Sequence, residues 1–218
     1  MKRIIIICEG QTEQSFCNDV LKPYFSPLEI FLATPAIKKT HGGIVPWYAL
    51  KHQIEKHLLE DKTAHVTTMI DYYGIQAHHG YPGWNEAETK ADRNERMDII
   101  EKEMKNDIRD DLRVRFKPYI QLHEFEGILF SDISVFDRNF EKNEFADYDY
   151  LASTIRENPN PEMINNGYDT APSKRLSKII KHYSKTLFGA LLAHEIGLPK
   201  IRGKCPRFNN WILQLEKM

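Results

Sequence analysis

Residues 3–16 read RIIIICEGQTEQSF, and the architecture follows from that stretch. Ile4 to Cys8 is an unbroken β-branched run rather than an alternating one, the pattern of a strand covered on both faces. Gly10-Gln11 turns the chain, Thr12 is a plausible N-cap, and Phe16, Cys17, Val20, Leu21 and Tyr24 recur at helical spacing. A strand leading directly into a helix is half of a βαβ unit.

The unit recurs downstream with less definition. Leu28 to Leu32 is a short apolar strand candidate, Thr40 to Gly43 a loop, and Pro46 opens a helix carrying Trp47, Leu50, Ile54 and Leu58. Val66 to Ile70 is a third strand ending at Asp71. The stretch from Tyr72 to Asn85, with Gly74, Gly80, Pro82 and Gly83, reads as a long loop whose aromatic residues Tyr72, Tyr73, Tyr81 and Trp84 either anchor it to the core or stack on bases. A charged surface helix over 86–109 shows Met97, Ile100, Met104 and Ile108 on one stripe, and Phe116 to Leu122 is a fourth strand. Strands separated by helical stripes predict an α/β fold with a mostly parallel four-stranded central sheet flanked by helices. Residues 1–135 form this core, and 136–218 a mainly helical C-terminal extension packed on it.

Composition agrees with one ordinary globular unit: 218 residues, 41% hydrophobic, 28% charged, formal net charge -1. That balance offers a polyanion no long-range attraction, so nucleic acid would need a local basic patch or bridging cations. Cys8, Cys17 and Cys205 have neither metal-ligand spacing nor the count of a disulfide scaffold and read as small buried hydrophobes in a reducing cytosol. The isoleucine run is too short for a membrane span or a signal h-region, so a cytoplasmic location and no membrane partner are expected.

In an open α/β sheet, ligands bind at the carboxyl ends of the strands. Glu9 follows the first strand and Asp71 closes the third, so a parallel sheet brings them to one edge. Two converging carboxylates demand a proton or a cation between them. The segment HEFEGILFSD (123–132) adds Glu124 and Glu126. If it is extended they share a face, whereas a turn spreads them differently. Oxygen ligands without cysteine favour Mg2+ or Mn2+, ions that activate water and stabilise the leaving oxygen in phosphodiester hydrolysis. Lys38, Lys39 and His41, and Lys174 with Arg175, are candidate phosphate contacts. His78-His79 is a weak metal pair, since adjacent side chains point apart. The sequence has neither a GxxxxGK phosphate loop nor a GxSxG elbow.

With these residues in view, the chain resembles the Toprim-like proteins of bacteria and, most closely, domain-of-unknown-function family 4276. The resemblance spans nearly the whole chain through RIIIICEGQTEQSF, GGI (42–44), VTTMIDYYG (66–74), LHEFEGILFSD (122–132), INNG (164–167), TAPSKRL (170–176) and CPRFNNWI (205–212). It implies that Glu9 matches the first-strand glutamate, and Asp71 the first later-strand aspartate, of Toprim domains in topoisomerases, primases and nucleases of the overcoming-lysogenisation-defect type. Tyr73 stands where those proteins carry a second aspartate, so Glu124 or Glu126 would replace it, as in the related RloB-like proteins. The expected function is a magnesium-dependent nuclease or phosphodiesterase with Glu9, Asp71, Glu126, Glu124 and Lys174 as its site, paired with a separate ATPase in bacterial defence. The alternatives are a non-catalytic partner protein of an ATPase, docking through its C-terminal third, and a small-substrate phosphatase.

Overall fold

A computed structural model of the chain describes residues 2–38, 44–164, 167 and 169–218. Its centre is the isoleucine strand β1 (Lys2–Cys8), from which α1 (Gln11–Phe16) emerges through Gly10. A π-helical turn over Cys17–Leu21 joins α1 to α2 (Lys22–Phe25), and β2 (Ile30–Ala33) returns beside β1. Then come α3 (Trp47–Glu60), β3 (His65–Asp71), the short α4 (Trp84–Ala87), α5 (Arg93–Asp107), β4 (Phe116–Lys117) and β5 (Ile120–Gln121). The strands lie in the order β2-β1-β3-β4, with β5 also on β3, and every pairing is parallel.

Alternate side chains of β1 enter two separate cores. Ile4, Ile6 and Cys8 pack with Phe16, Leu21 and the C-terminal helices, whereas Ile5 and Ile7 pack with Trp47, Leu50, Ile54, Met97 and Ile100 of α3 and α5. The unbroken apolar run is thereby explained, since both faces of the sheet are covered. The C-terminal helices α6 (Ile133–Asn139), α7 (Tyr148–Glu157), α8 (Pro172–Ile179), α9 (Lys185–Ile196), α10 (Leu198–Lys204) and α11 (Pro206–Glu216) lie on the α1 side and share its core. Among the described residues no helix is long and apolar enough to cross a membrane.

Several boundaries differ from those expected, each for a local reason. The sheet has five strands because Pro118, which has no N–H to donate, interrupts the anticipated strand over 116–122. The Thr68 hydroxyl fills the gap, donating to the Tyr119 carbonyl at 2.8 Å and accepting from the Tyr119 N–H at 3.0 Å. Leu28 belongs to a 3-10 turn, and β2 starts at Ile30 after Glu29 adopts a left-handed conformation. The cap of α1 is Gly10 rather than Thr12, with Glu13 reaching back to the Gly10 N–H at 2.9 Å. The expected charged helix is shorter and starts at Arg93, because Asp92 accepts from the Asn94 and Glu95 N–H groups and caps it. Tyr72 and Tyr81 in the loop after β3 are buried, as anchoring requires. The expected loop over 40–43, with Lys39 and His41, lies outside the described residues, as do Asn165 and Asn166 of the INNG motif.

Candidate functional site

Strand order reverses between β1 and β3: the chain leaves β1 toward β2 on one side and later builds β3, β4 and β5 on the other. The crevice beyond the carboxyl ends of that pair is where doubly wound sheets bind ligands. Glu9 and Asp71 occupy it. Glu9 Oε2 accepts the Asp71 N–H at 2.9 Å, tying the two strand ends together, and Asp71 Oδ1 accepts the Phe125 N–H at 2.9 Å.

The segment after β5 is a 3-10 helix over Phe125–Ser131 rather than an extended strand. Glu124 and Glu126 therefore diverge. Glu124 turns to α8, where its carboxylate accepts the Ser173 N–H at 2.9 Å and the Ser173 hydroxyl at 3.0 Å, satisfying an orphan donor in the first helical turn. Its work is structural: Glu124→Ala is expected to cost about 1–2 kcal/mol in urea unfolding, the usual loss for a helix cap, with Glu124→Gln costing less. Glu126 is fully buried and turns into the crevice. His123 adopts φ 65°, a left-handed conformation that histidine tolerates better than most residues, and its carbonyl accepts the Tyr73 N–H at 2.9 Å. Burial, with Arg93 beside it, holds the His123 imidazole down at about 3, so it is neutral.

The cation at the centre is Lys185. Its ammonium lies 3.1 Å from Glu126 Oε2, 3.8 Å from Asp71 Oδ2 and 3.9 Å from Glu13 Oε1. Burial works against the charged lysine, but Asp71, Glu126 and Glu13 outweigh it and hold the ammonium above its ordinary pKa. Burial also pushes Asp71 well above the usual carboxylate range, and Lys185 only partly offsets that. For Glu126 the same balance of burial against Lys185 gives about 7. Among the described residues neither Glu126 oxygen makes a hydrogen bond of good geometry, and the buried Tyr183 hydroxyl likewise finds no partner. Lys185 keeps 41% of its side chain in solvent and so forms the crevice's outer wall.

One expectation is corrected here. Among the described residues no three His, Cys, Asp or Glu side chains are placed to hold one metal ion, which overturns the Mg2+ or Mn2+ site. Glu124 is spent on α8, and a lysine stands among the remaining carboxylates. Of the expected site residues, Glu9, Asp71 and Glu126 come together, whereas Lys174 is exposed, beside Ser173, in no ion pair among the described residues. Glu13 and Lys185 were not anticipated as site residues. Lys185 did leave a trace in the sequence: a cation in the first turn of a helix opposes the dipole and needs another reason to be there. His78 and His79 pack ring against ring at 4.1 Å, and His79 Nδ1 accepts the Gln76 N–H, so they serve the local turn.

The model of the family described as Domain of unknown function (DUF4276) matches residues 8–216, which include both strand ends, the 3-10 segment and Lys185. The chain belongs to this family. Its shared region therefore contains the whole crevice together with the C-terminal helices that complete it. No curated protein and no solved structure matches the chain.

Proposed function

We propose that this DUF4276 protein hydrolyses phosphodiester bonds in nucleic acid by acid–base chemistry at the crevice between β1 and β3. The observation that carries the reading is a buried carboxyl, Glu126, titrating near neutrality beside a lysine held charged at the strand-order switch point. Perturbed titration in a crevice of this kind marks functional groups. Lys185 engages a non-bridging phosphoryl oxygen and, in moving toward it, uncovers Glu126. Glu126 takes a proton from water as the water oxygen bonds to phosphorus. The bond from phosphorus to the leaving oxygen breaks, and Asp71, whose pKa burial raises against the pull of Lys185, delivers a proton to that oxygen. Glu9 and Glu13, each accepting a backbone N–H, fix the frame around the pair. The resemblance of the sequence motifs to Toprim-like and RloB-like proteins suggests the same substrate class, though not their magnesium chemistry, and the lack of a phosphate loop fits a partner ATPase on a separate chain.

Glu126→Gln is expected to lower hydrolysis of labelled DNA or RNA oligonucleotides by about 100-fold or more while leaving the fold intact, the usual contribution of a general base. Wild-type activity rises as pH passes through about 7, because the base must be ionised. Turnover by the Glu126→Gln protein at the wild-type rate defeats the reading.

A second reading, a non-catalytic partner of an ATPase, draws on α9. Leu187 and Leu191, one turn apart, are 64% and 43% exposed and present an apolar strip on the C-terminal third. Stable ATPase binding lost in Leu187→Asp, with no hydrolysis of any nucleic acid by the wild type, favours it.

A further inference from the structure

A groove of about 420 Å³ runs along the outer face of α3, on the opposite side of the sheet from Lys185. Tyr48, His52, Lys56 and Glu60 recur every four residues and so form one stripe of the helix, with Lys38, Ala49, Gln53 and His57 also lining the groove. Gln53 builds it: its Oε1 accepts the Lys38 N–H at 3.0 Å and its Nε2 donates to the Ala36 carbonyl at 3.1 Å, pinning the chain beyond β2 against α3.

The chemistry of the walls is that of a phosphate-and-base reader. Tyr48 is 75% exposed, and among the described residues no ring packs on it. Lys38 takes part in no ion pair among the described residues, and Lys56 has only a long, half-exposed contact of 3.6 Å with Glu60. The His57 Nε2 is buried without a hydrogen-bond partner among the described residues. Burial holds its imidazole below the ordinary histidine value, opposed by Glu60 and aided by Lys38 and Lys56. An exposed ring sharing a groove with two lysines suits single strands, whose bases are free to stack while the phosphates are neutralised.

We infer that this groove seats a single-stranded segment of nucleic acid, one base stacked on Tyr48 and the flanking phosphates held by Lys38 and Lys56. The inference names a substrate class for the crevice and to that extent rests on the hydrolase reading. Geometry links the two places: Ala36 bridges Cys8, the residue before Glu9, so the Lys38 end of the groove opens at the same sheet edge as the carboxylates.

The test is fluorescence anisotropy of the full chain with labelled oligo(dT) and oligo(rU), the two arms separating DNA from RNA. Tyr48→Ala is expected to weaken binding about ten-fold or more, with Tyr48→Phe retaining it, as stacking predicts. The double variant Lys38→Ala/Lys56→Ala is expected to weaken it comparably and to reduce the salt dependence by about 1.4 in the log–log slope, from two phosphate contacts. Wild-type affinity in both Tyr48→Ala and the lysine double variant overturns the proposal. So does equal affinity for duplex, or displacement of the oligonucleotide by inorganic phosphate at low concentration. The crevice is tested independently, by wild-type turnover of the same oligonucleotides. Groove variants that cut and bind normally sink the groove alone, and a wild type that binds through the groove without cutting sinks the hydrolase alone.

Discussion

Replacing Lys185 by methionine is expected to destabilise the protein at neutral and alkaline pH and to leave it nearly unchanged in mild acid. Asp71, Glu126 and Glu13 share this one ammonium, and removing one partner of a fully buried ion pair costs about 3–5 kcal/mol. Lys185 is partly solvated, so water screens part of that loss, and about 1–3 kcal/mol is the expectation. The pH dependence follows from the carboxyls. Glu126 titrates at about 7 when folded, against an ordinary 4.5, and Asp71 is raised in the same sense. A folded acid with a raised pKa binds more protons than the unfolded one, so its stability is fully present below the unfolded value and declines as pH rises through the folded one. Without the lysine both folded pKa values climb further, which deepens and extends that decline. Urea melts of wild type and Lys185→Met at about pH 5 and about pH 8 measure it, and equal losses at both would contradict the electrostatic origin. In the wild type, Glu126→Gln should flatten the same decline, and in the Lys185→Met background it should recover part of the stability, since the two side chains act as one unit.

Gly189 carries the second large effect. A Cβ built there would lie 2.7 Å from Thr12 Cγ2 and 3.7 Å from Phe125 Cε1, so α9 crosses α1 at a distance only glycine permits. Gly189→Ala must push the helices apart, at a cost of about 1–3 kcal/mol for overpacking, and Gly189→Leu more. Lys185 is one turn before Gly189 on the same face, so the displacement also withdraws the ammonium from Glu126. Thr12→Ser removes the obstructing methyl. The pair Gly189→Ala/Thr12→Ser should therefore recover most of the stability and the near-neutral titration of Glu126 followed by NMR. Failure of that rescue would place the cost elsewhere than at the helix crossing.

The parts of this site legible in the sequence are those that strand ends fix. The isoleucine run required two covered faces, and a parallel sheet then forced Glu9 and Asp71 to one edge, where they are joined through the Asp71 N–H. Local chemistry decided what was missed. Pro118 split one strand into two, and a 3-10 turn sent Glu124 and Glu126 in opposite directions. A period-two reading of HEFEG could not anticipate that turn. Nor could it reveal Lys185, whose place depends on how α9 crosses α1, a tertiary fact set by Gly189 and Thr12. The metal ion expected between Glu9 and Asp71 was not found among the described residues: Glu9 meets the Asp71 N–H, and Lys185 stands against Asp71, Glu126 and Glu13.

The three thiols carry a consequence of their own. Cys8, Cys17 and Cys205 are all free and buried, with Cys8 and Cys17 sulfurs 3.8 Å apart beneath α1 and Cys205 against the Ser131 hydroxyl at 3.7 Å. An alkylating reagent reaches none of them without a breach of the interior. Cys8 lies in β1 and Cys17 in the turn after α1, whereas Cys205 lies between α10 and α11 on the far side of the same core, so mass spectrometry of alkylated peptides reads its opening at two places in one unmodified molecule. Equal rates would mean that sheet and helical cap open as one body, and unequal rates would tell which gives way first.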